Sequence, residues 1–353
     1  AVVHVNDASR AVTVVGDLLQ KERREAYKKS IKLDYESFRE KFLARGREKN
    51  YLSLSEARSN KLSLEWGSGA IGVPRMLGVQ ETGQVDLRKL VPYIDWSPFF
   101  RAWDLHGKYP EILEDKIVGP QARELYDDAQ KMLRELIRKN QLVAKGVFGL
   151  FKANAVEDDI QIETPEGKTY FFRTLRQQSV KRAGIPNLAL SVFIAPQYSG
   201  KQDYMGCYCV TAGIGVAQLA DALIDSLDVY GSIMIKALAD RLAEAFAEYL
   251  HREVRMKFWG YAPGEQLDNQ ALIKESYRGI RPAPGYPACP DHLEKETIWK
   301  ILQVEERIGV SLTESLAMWP AASVSGYYFG HPKARYFGLG KIKKDQLEDY
   351  ARR

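Results

Sequence analysis

Cysteine is scarce in this chain: Cys207, Cys209 and Cys289 are the only three among 353 residues. That is too few for a disulfide framework or a four-sulfur metal site. No stretch approaches the roughly 18 apolar residues a spanning helix requires, and the N-terminus lacks the basic, apolar and small-residue layout of a secretory signal. Both absences point to a cytoplasmic protein with no membrane partner. Excess charge of one sign is also missing. The 51 Lys and Arg nearly balance 46 Asp and Glu, for a net charge of +5, unlike the uniform basicity of a nucleic-acid binder. There is no internal repeat, no low-complexity tract and no Gly-Lys-Ser/Thr phosphate loop. Gly213-Ile-Gly215 lacks the third glycine of a dinucleotide fingerprint.

What is present is ordinary globular composition, 45% hydrophobic and 27% charged. The charge is local: residues 21–50 hold eleven Lys/Arg against six Asp/Glu, which reads as a solvated helix or a patch that steers an acidic partner. Before it, a short apolar run and the helically spaced Val12, Val14, Val15, Leu18 and Leu19 predict one strand and one helix. Further on, Ala122, Leu125, Ala129, Met132, Leu133 and Leu136 make an apolar stripe behind Pro120, predicting a helix over 121–139. A longer stripe from Met234 to Tyr249 predicts a helix from about Ser232 to Trp259, roughly 40 Å long. Ile160–Thr164, the turn Pro165-Glu-Gly167 and Thr169–Phe172 form a hairpin pattern. Ala189–Ala195, Tyr204–Val210, Ser325–Phe329 and Arg335–Leu339 read as further strands, Cys207 and Cys209 being buried in one of them. Strands cluster rather than alternate with helices, so the expected class is α+β, with a mixed or antiparallel sheet packed with helices in one large domain.

The most unusual segment is Arg281-Pro-Ala-Pro-Gly-Tyr-Pro-Ala-Cys-Pro290. Its four prolines exclude helix and regular central strand, and a stiff loop loses little entropy on ordering around a ligand. Arg281 offers a planar fork suited to a carboxylate, and Gly285 allows close backbone approach. Asp291-His-Leu-Glu294 reads as a capping-box variant opening a helix. A proline-stiffened structural connector is the plainer alternative.

The segment from Arg281 to Pro287 closely resembles the signature of the C-terminal, S-adenosylmethionine-binding activation domain of cobalamin-dependent methionine synthase. The resemblance runs through Tyr93–Phe100, Gly107–Pro110, Leu175–Gln178, Lys236–Glu248, Leu312–Met318 and Glu348–Arg352, in the family's order over nearly the whole chain. It implies three regions: 1–20, a C-terminal remnant of an α/β cobalamin-binding domain; 21–85, a basic helical linker and connector; and 86–353, the activation domain.

The resemblance also implies roles. Arg281 matches the arginine that binds the ligand carboxylate, and Asp95 the aspartate at the ligand's polar end. Ala283, Gly285 and Tyr286 lie in the signature loop, and Tyr336 and Phe337 match the pair beside the nucleoside. Many relatives have a second tyrosine where this chain has Phe337, so ring packing or backbone contact must suffice there. Glu244 and Glu275 align with acidic residues linked to reactivation. Each has a plainer reading: Asp95 as a helix cap, Tyr336-Phe337 as core strand, and Glu244 as a solvated carboxylate sharing a polar helix face with Asp240 and Glu248.

The implied function is repair of oxidised cob(II)alamin by reductive methylation, with S-adenosylmethionine as methyl donor and an electron from a flavodoxin or flavoprotein reductase. The fragment itself would carry no catalytic base, bind no metal and act as a monomer. Its cobalamin would sit in a neighbouring domain, since no Asp-x-His-x-x-Gly arrangement occurs in the chain. The alternatives are a stand-alone methyltransferase and a corrinoid-partner scaffold without ligand binding.

Overall fold

The computed structural model describes residues 8–45, 50–67 and 69–353. The chain forms two compact units, Ala1–Tyr51 and Leu52–Arg353. In the first, the expected helices are α1 (Ala8–Leu19) and α2 (Lys21–Arg45), joined where the Arg24 side chain donates to the Leu18 carbonyl at 2.7 Å. The strand expected near the start of the chain lies outside the described residues. In the second unit the order begins with α3 (Leu54–Ser59), β1 (Gly78–Val85), α4 (Ser97–Ala102), α5 (Gly119–Arg138), β2 (Val143–Val156), β3 (Asp159–Glu163) and β4 (Thr169–Arg173). It continues with β5 (Asp203–Ile214), α6 (Val216–Asp225), α7 (Val229–Glu253), α8 (Asn269–Ile273), α9 (Glu294–Leu302) and α10 (Val304–Ile308). Last come the short hairpin β6 (Ser311–Leu312) and β7 (Met318–Trp319), then β8 (Ser323–Tyr328) and α11 (Lys344–Arg352).

Six strands form one antiparallel sheet in the order β4-β3-β2-β5-β8, with β1 also bonded to β2. β2 pairs along its length with β5, while its other edge is shared between β1 and β3. The sheet is covered on both faces, which is why β5 reads as an unbroken apolar run. Tyr208 and Val210 join a core with α5 and α7. Cys207 and Cys209, buried and free as expected, face a second core built with α9, α10 and Leu190–Ile194. The α5 stripe is buried at Ala122, Leu125, Ala129, Leu133 and Leu136. Asp228 caps α7 by accepting from the Gly231 N–H at 2.7 Å, and a π-helical turn, Val254–Phe258, extends that helix.

Two expected strands are not strands. Ala189–Ala195 contains a 3₁₀ turn, Leu190–Phe193, and its end is bonded both to β2, where the Ala155 N–H donates to the Ala195 carbonyl at 3.0 Å, and to side chains. Asp203 accepts from the Ala195 N–H at 2.8 Å, and the Asn154 amide donates to the Ala195 carbonyl at 3.0 Å. Arg335–Leu339 is an irregular strap, held by the Leu339 N–H on the Pro287 carbonyl at 2.8 Å and the Gln177 amide on the Gly338 carbonyl at 2.6 Å. The expected capping box at 291–294 does not form either. Asp291 accepts instead from the Leu293 N–H at 2.9 Å and from the Tyr350 hydroxyl at 2.7 Å, and Glu294 accepts from the Arg173 N–H at 3.0 Å.

Candidate functional site: a carboxylate-and-arginine cavity beside the sheet edge

β8 is an edge strand of the sheet, and the start of the proline loop covers it. Ile280 and Phe329 exchange two backbone hydrogen bonds of 3.0 Å, and the Pro282 carbonyl accepts from the Tyr327 N–H at 2.8 Å. Pro282 needs no acceptor of its own, having no N–H. Gly326 allows the approach, since a Cβ there would lie 2.7 Å from the Pro282 carbonyl oxygen. The Arg281 N–H donates to the Tyr336 hydroxyl at 3.0 Å. Beyond it, Gly285 at φ +96° turns the loop back on itself, its N–H bonded to the Cys289 carbonyl at 2.8 Å.

Alternation along this strip puts Ile280 in the core beneath α9 and the Arg281 side chain on the opposite face, towards α7. Its Nη1 donates to Glu248 Oε2 at 2.6 Å and to the Tyr277 hydroxyl at 2.9 Å. Nε and Nη2 make no hydrogen bond among the described residues. Burial works against the Arg281 cation, but Glu248 and the surrounding tyrosines hold its pKa well above the ordinary value.

A cavity of about 620 Å³ opens here, of the size that takes a drug-sized or nucleoside ligand. Its wall comprises Arg281, Ala283 and Tyr286 from the loop, Glu244 from α7, Glu275 from the turn after α8, Tyr208 and Val324 from the sheet, and Tyr336-Phe337-Gly338 from the strap. Glu275 sits at φ +55°. Burial raises its pKa and Arg281 partly offsets that, while Glu248 adds to the rise. Burial likewise raises the Tyr336 and Tyr286 phenols; Tyr286 is nonetheless 61% exposed at the rim.

The structure therefore brings together on one wall Arg281, Ala283, Tyr286, Tyr336, Phe337, Glu244 and Glu275. Gly285 is in the same loop but does not face the cavity. Asp95 is also off the wall. Its Oδ1 accepts from the Ser97 N–H at 3.0 Å just before α4, and the Asn269 amide donates to the neighbouring Ile94 carbonyl at 3.1 Å. That bond ties the Asp95 segment to α8, whose following turn carries Glu275.

Sequence reasoning missed several residues. Tyr208 was an anonymous core position. Glu248, expected on a solvated helix face, is buried at 7% exposure and paired with Arg281. The reason is a tertiary one: the second arginine beside it, Arg255, is fully buried and gripped by Glu265 through two bonds of 2.7 Å. The i, i+7 spacing of Glu248 and Arg255, on one face of a helix that continues past its last regular turn, was the available signal.

Comparisons with known proteins give the family and the fold. Residues 86–353 match the family model "Vitamin B12 dependent methionine synthase, activation domain". A crystal structure of the MetH reactivation domain bound to AdoHcy superposes with a TM-score of 0.82 at 52% sequence identity, over 86% of this chain and 93% of that one.

Proposed function

We propose, from the premise that this chain belongs to the family of vitamin B12-dependent methionine synthase activation domains, that its cavity binds S-adenosylmethionine and presents the ligand's methyl group to cobalamin. The observation that carries the reading is the open Nε–Nη2 edge of Arg281 on a wall that also bears two carboxylates. A guanidinium edge with two parallel donors suits the ligand's carboxylate. Glu244 and Glu275 suit its positive centres, the ammonium and the sulfonium, and the Tyr336–Phe337 strap and Tyr286 offer ring faces to a nucleoside. The solved relative holds AdoHcy, the demethylated form of the same ligand.

We keep Asp95 as a contact at the ligand's amino end. Its Oδ2 makes no hydrogen bond among the described residues, and the Asn269–Ile94 bond holds its segment beside the turn of Glu275.

Cobalamin, held by a neighbouring domain of the enzyme, would supply the reduced cobalt as the methyl acceptor. This chain's residues bind and orient: Arg281 fixes the carboxylate, the loop and strap confine the nucleoside, and the carboxylates favour the sulfonium. Holding the methyl group in one direction turns an encounter into an effectively unimolecular step. A flavodoxin-type donor would supply the electron, and the basic α2 would attract its acidic surface. Among the described residues no helix is long and apolar enough to cross a membrane.

Calorimetric titration of the 353-residue chain with S-adenosylhomocysteine tests the reading: saturable one-to-one binding supports it, and no heat at millimolar ligand overturns it. Methyl transfer to any small acceptor by this chain alone, without cobalamin, would favour a stand-alone methyltransferase.

A further inference from the structure

Arg281 reaches the cavity wall at the end of a flexible side chain, so something must hold its open edge towards a ligand. Both of its side-chain bonds use one nitrogen, Nη1, leaving the Nε–Nη2 side unengaged. Glu248, one helical turn from the wall residue Glu244, provides the shorter of the two at 2.6 Å. Its other oxygen, Oε1, lies 3.6 Å from Nη1 of Arg255, and neither of those atoms has a hydrogen-bond partner. Arg255 cannot swing to close that gap. Glu265 grips it by Nε and Nη2 at 2.7 Å each, and its guanidinium lies 4.1 Å from the centre of the Tyr277 ring. Tyr277 in turn puts its hydroxyl on Arg281 and meets the fully buried His251 edge to face at 5.0 Å. The row Arg281–Glu248–Arg255–Glu265 alternates in charge, and its inner members are buried.

We infer that Glu248 and Tyr277 are positioning residues for ligand recognition: together they clamp Nη1 of Arg281, with Glu248 backed by Arg255 and Glu265, so that the opposite edge of the guanidinium is pre-aimed at a ligand carboxylate. The inference rests on the ligand-binding reading above and deepens it. An arginine already fixed in its binding rotamer loses less entropy when the ligand arrives. The clamp also makes the site selective, because its benefit reaches only ligands that carry a carboxylate. A nucleoside thioether without the amino-acid tail gains nothing from it.

The test titrates the 353-residue chain with two ligands, S-adenosylhomocysteine and 5′-methylthioadenosine, which share the nucleoside and differ in the carboxylate-bearing tail. Glu248→Gln should weaken S-adenosylhomocysteine by about tenfold or more, the scale of one charge-assisted bond, and leave methylthioadenosine within about twofold. Tyr277→Phe, which removes the other acceptor without touching a buried charge, should give a smaller loss with the same selectivity. In the Arg281→Ala background neither substitution should reduce S-adenosylhomocysteine affinity further. If Glu248→Gln does not fold, Tyr277→Phe and its Arg281→Ala double variant decide the matter alone. Equal losses for both ligands, no loss for either, or additive losses in the Arg281→Ala background would overturn the inference and leave the binding reading standing. A wild-type chain that binds S-adenosylhomocysteine no better than methylthioadenosine would overturn both.

Discussion

Glu294 opens α9 at the far end of the proline loop, 5% exposed, with its carboxyl on the Arg173 N–H of β4. Burial pushes its pKa from 4.5 up to about 7; the Arg173 bond opposes the rise, and the nearby Asp291 and Asp159 add to it. A carboxyl with a raised folded pKa binds its proton more tightly in the native state than in the unfolded chain. The native state therefore holds more protons between the two values, and stability must fall as pH climbs through that window. At about 1.4 kcal/mol for each tenfold change in proton activity, the gap corresponds to something on the order of 3 kcal/mol. Glu294→Gln keeps the shape and the acceptor for Arg173 but cannot ionise. Near pH 4.5 the variant and the wild type should have similar stability; near pH 8 the variant should be the more stable, by up to about 3 kcal/mol. Urea unfolding followed by circular dichroism at a series of pH values measures the difference. Other groups that titrate in this range, including the buried Asp203 with its pKa near 6, are common to both proteins and cancel. Stability curves for the two proteins that stay parallel from pH 4.5 to 8 would refute the reasoning.

Three further outcomes follow from the site. Arg281→Ala removes the open donor edge and should weaken S-adenosylhomocysteine by about 1.5–3 kcal/mol in calorimetry; unchanged affinity takes Arg281 out of the site. Gly285→Ala puts a side chain at φ +96° with its Cβ 2.3 Å from the His292 ring. His292 is exposed and can move aside, so the backbone strain remains: the urea-unfolding free energy should fall by about 1–2 kcal/mol, and the ligand should weaken as the loop shifts. Asp95→Ala should cost roughly 0.5–1.5 kcal/mol of stability through the lost turn bond to the Ser97 N–H, and should also weaken S-adenosylhomocysteine; a stability loss with full affinity would leave Asp95 a turn residue only.

How far the sequence could be read depended on whether a residue's partners were local. The α5 stripe and the β3–β4 hairpin follow from periodicity and one turn, and both stand where the pattern puts them. The Ala189–Ala195 and Arg335–Leu339 runs have strand composition, but their backbone is bonded in part by the side chains of Asp203, Asn154 and Gln177, which no alternation reveals. The site divides the same way. The loop from Arg281 to Tyr286 announces itself by its prolines. Glu244 and Glu248 look alike on one helix, and only the fold separates them, one on the cavity wall and the other buried between two arginines. Asp95 shows the limit most clearly: its bond to the Ser97 N–H was foreseeable from local sequence, whereas its place outside the residues that line the cavity was not.

The backbone of Ile280–Pro282 lies along the outer side of β8 and satisfies donors and acceptors there. An uncovered strand in that place would be a template on which other molecules could add strands of their own. The stretch that presents the binding arginine thus also shields the sheet from self-association, and substitutions that loosen it should appear as aggregation as well as lost affinity. Two separate pressures meet on the same three residues, so this stretch should accept fewer changes than the exposed rim around Tyr286.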